Sequence, residues 1–353
     1  MGNVKQRKVY LDLLRIIAII FVIYNHTSEK GYYLYAFECP LPLKVIYMSA
    51  GALIAVAVPI FFMISGALLI PKEESIEDLY KKRVLRMFIA LVIFSVIQYA
   101  FQIVFENQEM SIRYFLDHTV SGNITASYWY LYSYLAYLIC LPLIRKMALN
   151  MSNKEFKYLF VAFLIIEGLL TTVVFFTMDG SLNSFFAIPF FKNIILYPLL
   201  GYYMEHRLKE EDYNAKGVMI WLAVMVATIA LVVVASLYRD LPYEEFTDWD
   251  KGLYTTGFSM LLVAGVFYIV KTIFKGRKVP KPAALIITTL GGTVFGVYLI
   301  ENMIRALTTS VYGALQSVCG SYIAAWIWCL FVFLVGAVIT FILKLIPGVK
   351  KLL

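Results

Sequence analysis

The sequence predicts an all-α polytopic membrane protein of about ten transmembrane helices, both termini cytoplasmic, forming a single domain over residues 1–353. Three observations predict it. Of the 353 residues, 61% are hydrophobic and 15% charged, whereas soluble domains carry roughly 25% charged residues. Ten stretches come close to the 20 or so mostly apolar residues that a helix needs to cross a bilayer. Lys and Arg then segregate between alternate loops, 23 on the side of the N-terminus and 6 on the other, which is the positive-inside pattern. The formal net charge of +8 is thus a topology signal, and it argues against a nucleic-acid groove.

The first stretch, Tyr10–Ser28, is too long for a signal-peptide core and lacks a small-residue cleavage site, so it reads as a retained anchor. The second, Val45–Ile70, is interrupted by Pro59 and by Ser65-Gly66, where a helix or ligand can approach closely. The third, Val84–Glu106, is entered through Tyr80-Lys81-Lys82-Arg83-Val84-Leu85-Arg86. Tyr128–Ile144 is short and Tyr-rich, Tyr158–Thr177 contains Glu167, and Phe185–Met204 contains Lys192. Val218–Tyr238 and Leu253–Lys271 flank an acidic loop with Asp240, Glu244, Glu245, Asp248 and Asp250. Ala283–Ala306 has Gly291-Gly292 and Gly296, read as small-residue packing, and Ser321–Ile346 closes the set. No Cys/His spacing supports zinc, and the four cysteines are expected as reduced thiols.

Charged groups at bilayer depth are expensive and point to function. Here they are Asp12, Arg15, His26, Glu167, Lys192 and Glu301. Arg15 and His26 are eleven residues apart, which returns to one helix face within about 20° and separates them by about 16 Å. Ala18 and Val22 lie between them as an apolar track. Glu301 falls at a depth that permits pairing with His26, where a carboxylate supports a general base. It can instead pair with Arg305, four residues on. Arg83 and Arg86, three apart on one face, suit either lipid phosphates or the phosphates of a nucleotide.

Several segments together resemble the acyltransferase-3 family of integral-membrane O-acyltransferases. They are Leu11-Asp12-Leu13-Leu14-Arg15 with His26, Val58-Pro59-Ile60-Phe61-Phe62-Met63-Ile64-Ser65-Gly66, and Arg83-Val84-Leu85-Arg86. Tyr128-Trp129-Tyr130-Leu131, Tyr197-Pro198-Leu199-Leu200-Gly201 and Phe295-Gly296-Val297-Tyr298-Leu299-Ile300 follow in the family's order. The resemblance spans nearly the whole chain. Many members have His where this chain has Glu301, so that position departs from the pattern. The esterase-like extracytoplasmic domain that some members append is not among these segments.

The resemblance implies an acyl-CoA-dependent O-acyltransferase in a cell membrane, bacterial and cytoplasmic by expectation. Acyl-CoA, often acetyl-CoA, is the donor substrate and no cofactor is permanently bound. The acceptor is a hydroxyl of a cell-surface polysaccharide, glycan or lipid-linked sugar, and membrane lipid and glycan-assembly proteins are the other expected partners. His26 and Glu301 are the expected catalytic residues. Arg15, Arg83, Arg86 and Ser65 are expected to bind acyl-CoA, with Asp12, Trp129 and Tyr298 orienting. The rival is a secondary transporter or lipid-linked sugar flippase, whose internal repeats find no convincing match here. A membrane scaffold is the third reading, and it leaves the Arg15–His26 stripe unexplained.

Overall fold

The computed structural model describes residues 8–178, 182–183, 186–240, 253–254 and 256–353, with the Asp240 side chain left out. Lys5, Arg7, Phe185 and the acidic loop residues Glu244, Glu245, Asp248 and Asp250 lie outside the described residues.

Helix is the only regular secondary structure among the described residues, which contain no strand. In chain order the helices are α1 (Val9–Asn25), α2 (Leu41–Ile54), α3 (Ala57–Leu69), α4 (Ile76–Leu79), α5 (Leu85–Phe105) and α6 (Ile112–Val120). Then follow α7 (Trp129–Asn150), α8 (Asn153–Phe163), α9 (Thr171–Met178), α10 (Asn193–His206) and α11 (Ala215–Asp240). The last are α12 (Ser259–Phe274), α13 (Lys281–Leu307), α14 (Thr309–Leu343) and α15 (Pro347–Leu352). Two π-helical segments, Tyr80–Val84 and Leu164–Leu170, join α4 to α5 and α8 to α9.

Seven runs among the described residues are long and apolar enough to cross a membrane. They are Leu41–Leu69, Ile76–Phe105, Ala126–Asn150, Asn153–Met178, Ala215–Arg239, Lys281–Leu307 and Thr309–Leu343. Helix also lies under the other three predicted stretches, as α1 of 17 residues, α10 of 14 and α12 of 16. Each of these is short of the full crossing length of about 20 residues.

Three local readings change. The break in the second stretch falls at Ala55 and Val56, and Pro59 sits in the first turn of α3, where its missing N–H leaves no helix bond unmade. Lys192 is not inside a helix: it is the exposed, extended N-cap of α10. The last stretch begins earlier than Ser321, because helix runs from Thr309 and bends at Gly320, whose φ of 77° and ψ of 162° suit glycine alone.

The chain divides into two compact units, Met1–Ile70 with Ala148–Gly291, and Pro71–Met147 with Gly292–Leu353. In the first, α1 packs on α2, α3 and α12, and α11 packs on α2 and α12. The closest crossing joins α3 to α10. A Cβ on Gly66 would lie 1.9 Å from the Pro198 carbonyl oxygen, and one on Gly201 would lie 2.0 Å from that of Met63. Glycine at both positions lets the two backbones touch.

In the second unit, α5 contacts α6 and α15. Gly296 on α13 abuts Thr340 of α14, and Gly336 of α14 abuts Val297 and Ile304. Gly296 is thus a packing glycine, as its sequence context predicts, and so is Gly291, which in the first unit meets Asp12.

Candidate functional site

α1 carries one polar group near each end. Asp12 is completely buried in the first turn, where a carboxylate favours the positive end of the helix dipole. A buried charge demands a partner, and Arg15, one turn on, donates from Nη1 to Asp12 Oδ1 at 2.5 Å. Gly291 makes this possible, because a Cβ there would come within 2.6 Å of Asp12 Cβ. The Arg15 side chain remains 29% exposed.

At the other end His26 is the C-cap, its N–H donating to the Val22 carbonyl at 3.0 Å. The chain turns immediately afterwards. Thr27 is buried; its Oγ1 donates to the Tyr24 carbonyl at 2.7 Å and accepts from the Tyr32 N–H at 3.0 Å. The Tyr24 hydroxyl donates to the Gly31 carbonyl. Ser28 adopts φ of 50°, a left-handed conformation costing of order 1 kcal/mol. This knot of bonds fixes the turn that follows the half-buried His26 at the end of α1.

The apolar track between these ends is packed. Ala18 is 0% and Val22 4% exposed, so no water-sized space touches Ala18. In this conformation α1 presents two polar ends and not an open groove. Ser65 sits half-buried on α3 beside Gly66, in the same unit.

The second unit holds the remaining predicted residues. Arg83 lies in the π-helical segment, not in a regular α-turn. Arg83 and Arg86 have different hydrogen-bond partners. Arg83 Nε donates to both oxygens of Glu74, at 3.1 and 3.2 Å, while Arg86 Nε donates to the Leu352 carbonyl at 3.0 Å. Arg145 reaches the same Glu74, with Nη2 3.5 Å from Oε2 and Nη1 donating to the Glu74 carbonyl at 3.2 Å. Burial alone would push the Glu74 carboxyl up, but Arg83, Arg145 and Lys72 outweigh it and hold the group below the ordinary carboxylate range.

Trp129 and Tyr298 meet through Tyr130, whose ring centroid is 6.4 Å from that of Trp129 and 5.6 Å from that of Tyr298. One turn beyond Tyr298, Glu301 is fully buried and accepts from Arg305 Nε at 2.6 Å. Arg305 also donates to Asn302 Oδ1 at 2.8 Å. Of the two partners the sequence allows, Arg305 is thus present. His26 belongs to the first unit and Glu301 to the second.

One cluster escapes sequence reasoning. Glu205, at the end of α10, has a side chain only 5% exposed and is bonded by Lys8, by the Tyr10 hydroxyl and by Lys271, the last at 3.0 Å. Lys271 also lies 4.3 Å from the centre of the Tyr213 ring. Lys8 and Lys271 read naturally as topology charges. The sole hint is that a buried carboxylate ending an apolar stretch needs cations from elsewhere in the chain.

All four cysteines are free, and no group of three His, Cys, Asp or Glu among the described residues is placed to hold a metal. The profile of the acyltransferase-3 family, described as an acyltransferase domain, matches residues 8–344. No curated protein and no solved structure matches the chain.

Proposed function

The chain belongs to the acyltransferase-3 family and is a membrane acyltransferase, and from that premise we propose that it carries an acyl group across the membrane. The donor is cytoplasmic acyl-CoA, acetyl-CoA first among them. The acceptor is a hydroxyl of an extracytoplasmic glycan or glycolipid, and the location is a bacterial cytoplasmic membrane. The observation that carries this reading is the arrangement on α1. A cation held by a buried carboxylate stands near one end and an imidazole stands at the other.

In this proposal His26 is the general base. It takes the proton of the acceptor hydroxyl as the oxygen attacks the thioester carbonyl. The tetrahedral intermediate collapses, the C–S bond breaks, and the leaving thiolate recovers the proton from the imidazolium. Arg15, held by Asp12, attracts the donor's phosphates, and Arg83 and Arg86 add charge for the same polyanion. Ser65 is assigned to the donor and Trp129 and Tyr298 to orientation. Glu301 is assigned the role of supporting His26 while it neutralises Arg305. Because the Ala18–Val22 track is packed, the donor's arm needs neighbouring side chains to part before it can lie along α1.

The test uses purified protein in vesicles with radiolabelled acetyl-CoA and surface glycan as acceptor. His26→Ala is expected to abolish transfer while coenzyme A binding is kept. Wild-type turnover in that variant would remove His26 from the mechanism. Solute counterflow without any acylation would instead favour a transporter. Comparing His26→Ala, Glu301→Gln and the double variant reads whether the two residues act as a unit, since coupled residues give non-additive losses.

A further inference from the structure

Glu74 holds two arginines at once. Arg83 donates to both of its carboxylate oxygens and Arg145 reaches one of them, with 3.5 Å between Nη2 and Oε2. Arg145 is ten per cent exposed, Glu74 eleven and Arg83 twenty-six, so the cluster is screened from bulk solvent yet still reachable along Arg83. One carboxylate neutralises only one guanidinium. Two guanidiniums thus converge on a single carboxylate, with Lys72 near enough to act on it as well. Planar guanidinium forks match phosphate as well as carboxylate, and a dianion balances two of them where a monoanion does not.

The backbone supports the same conclusion. The π-helical segment Tyr80–Val84 turns Arg83 toward Glu74, and such segments recur at functional sites. Glu74 itself is in a loop, on the residue just before the Ser75 N-cap of α4, so it can swing away without breaking a helix. The two arginines are on helical backbone, Arg83 in the π-helical segment and Arg145 in α7.

We propose that Arg83 and Arg145 form a phosphate site for the donor nucleotide, and that Glu74 is a latch occupying this site until a phosphate displaces it. The inference rests on the acyl-CoA reading above and adds to it Arg145 as a ligand residue and Glu74 as a competing anion. No covalent step is involved. Part of the donor's binding energy opens the latch, so the arginines are not left exposed to other anions while the site is empty.

The experiment is calorimetric titration of coenzyme A into the full chain in nanodiscs of neutral lipid. Glu74→Gln removes the competitor and is expected to tighten binding by about tenfold, the worth of one charge-assisted hydrogen bond. Misfolding cannot produce such a gain. Arg145→Met is expected to weaken binding by a similar factor of about ten, raising KM with little change in kcat. If wild type binds but Glu74→Gln binds no better, the cluster is a structural brace and the latch is wrong. If Arg145→Met alters binding of phosphatidylglycerol in mixed nanodiscs but not of coenzyme A, the arginines serve a lipid headgroup and the proposal also fails. Wild type failing to bind coenzyme A overturns the donor reading itself, and the latch falls with it.

Discussion

Tyr128 and Tyr298 each hold the backbone beside the other. The Tyr128 hydroxyl donates to the Leu299 carbonyl at 2.8 Å, and the Tyr298 hydroxyl donates to the Ser127 carbonyl. Both rings are buried, with centroids 6.4 Å apart. This reciprocal clasp ties the residues just before α7 to the C-terminal half of α13, one turn from Glu301. Removing one hydroxyl leaves a buried carbonyl short of a donor, worth about 1 kcal/mol. Tyr298→Phe and Tyr128→Phe should each lower the midpoint of thermal unfolding in detergent. The double variant should cost less than the sum, because the second loss acts on a clasp already loosened. Strict additivity would mean that the two bonds work independently.

The Glu301–Arg305 pair predicts an asymmetry. Glu301 has no exposed surface and Arg305 retains 16%. Removing one member of a buried ion pair costs about 3–5 kcal/mol. Arg305→Met should therefore unfold markedly earlier than wild type, and adding Glu301→Gln to it should restore part of the loss. Thermal unfolding of the three variants measures this. An unaffected Arg305→Met would assign Glu301 to other partners.

Gly66 and Gly201 predict the most severe single substitutions. An alanine Cβ at either position overlaps backbone of the facing helix, at 1.9 Å from Pro198 and 2.0 Å from Met63. Backbone cannot rotate away as a side chain can, so α3 and α10 must separate. Overpacking of this kind costs about 1–3 kcal/mol and occasionally more. Gly66→Ala and Gly201→Ala should reduce both the yield of folded protein and its unfolding temperature. Gly320→Ala, where nothing lies within 4 Å, should act only through its backbone conformation at φ of 77°.

Glu74 predicts a pH dependence. Its carboxyl titrates below the ordinary range in the folded chain, so the unfolded chain binds its proton first as pH falls. Its contribution to stability is present above the unfolded value of about 4.3 and is lost as pH drops below it through the folded value. Unfolding temperature against pH should thus converge for wild type and Glu74→Gln toward the acid end and diverge above it. Parallel curves would show that Glu74 gains nothing from Arg83 and Arg145.

Helix positions are legible in the sequence because lipid-length apolar runs leave few alternatives: every predicted stretch contains helix, from α1 to α14. Packing glycines are legible for a similar reason, and Gly66, Gly291 and Gly296 all abut another element. Asp12 and Arg15 stand out separately in the sequence, and their spacing of one helical turn permits the pair that forms. Long-range partners are not readable. Lys8 bonds to Glu205 from 197 positions away, and no local pattern encodes that. The π-helical segment at Tyr80–Val84 has no compositional mark either. Lys192 sits in an apolar neighbourhood that hides the helix start one residue later.

α10 has a consequence for the barrier itself. Its 14 residues span about 21 Å, against roughly 30 Å for the hydrocarbon layer of a bilayer. Nine consecutive residues, Leu196 to Met204, are buried, so protein, not lipid, surrounds the helix and no bilayer deformation is needed to match its length. Polar groups stand at both ends, Lys192 before it and Glu205 with His206 at its close. The length of α10 is thus about two-thirds of the usual hydrocarbon thickness. Under the proposal above, in which donor and acceptor arrive from opposite sides, a short helix of this kind would shorten the distance over which they must be brought together.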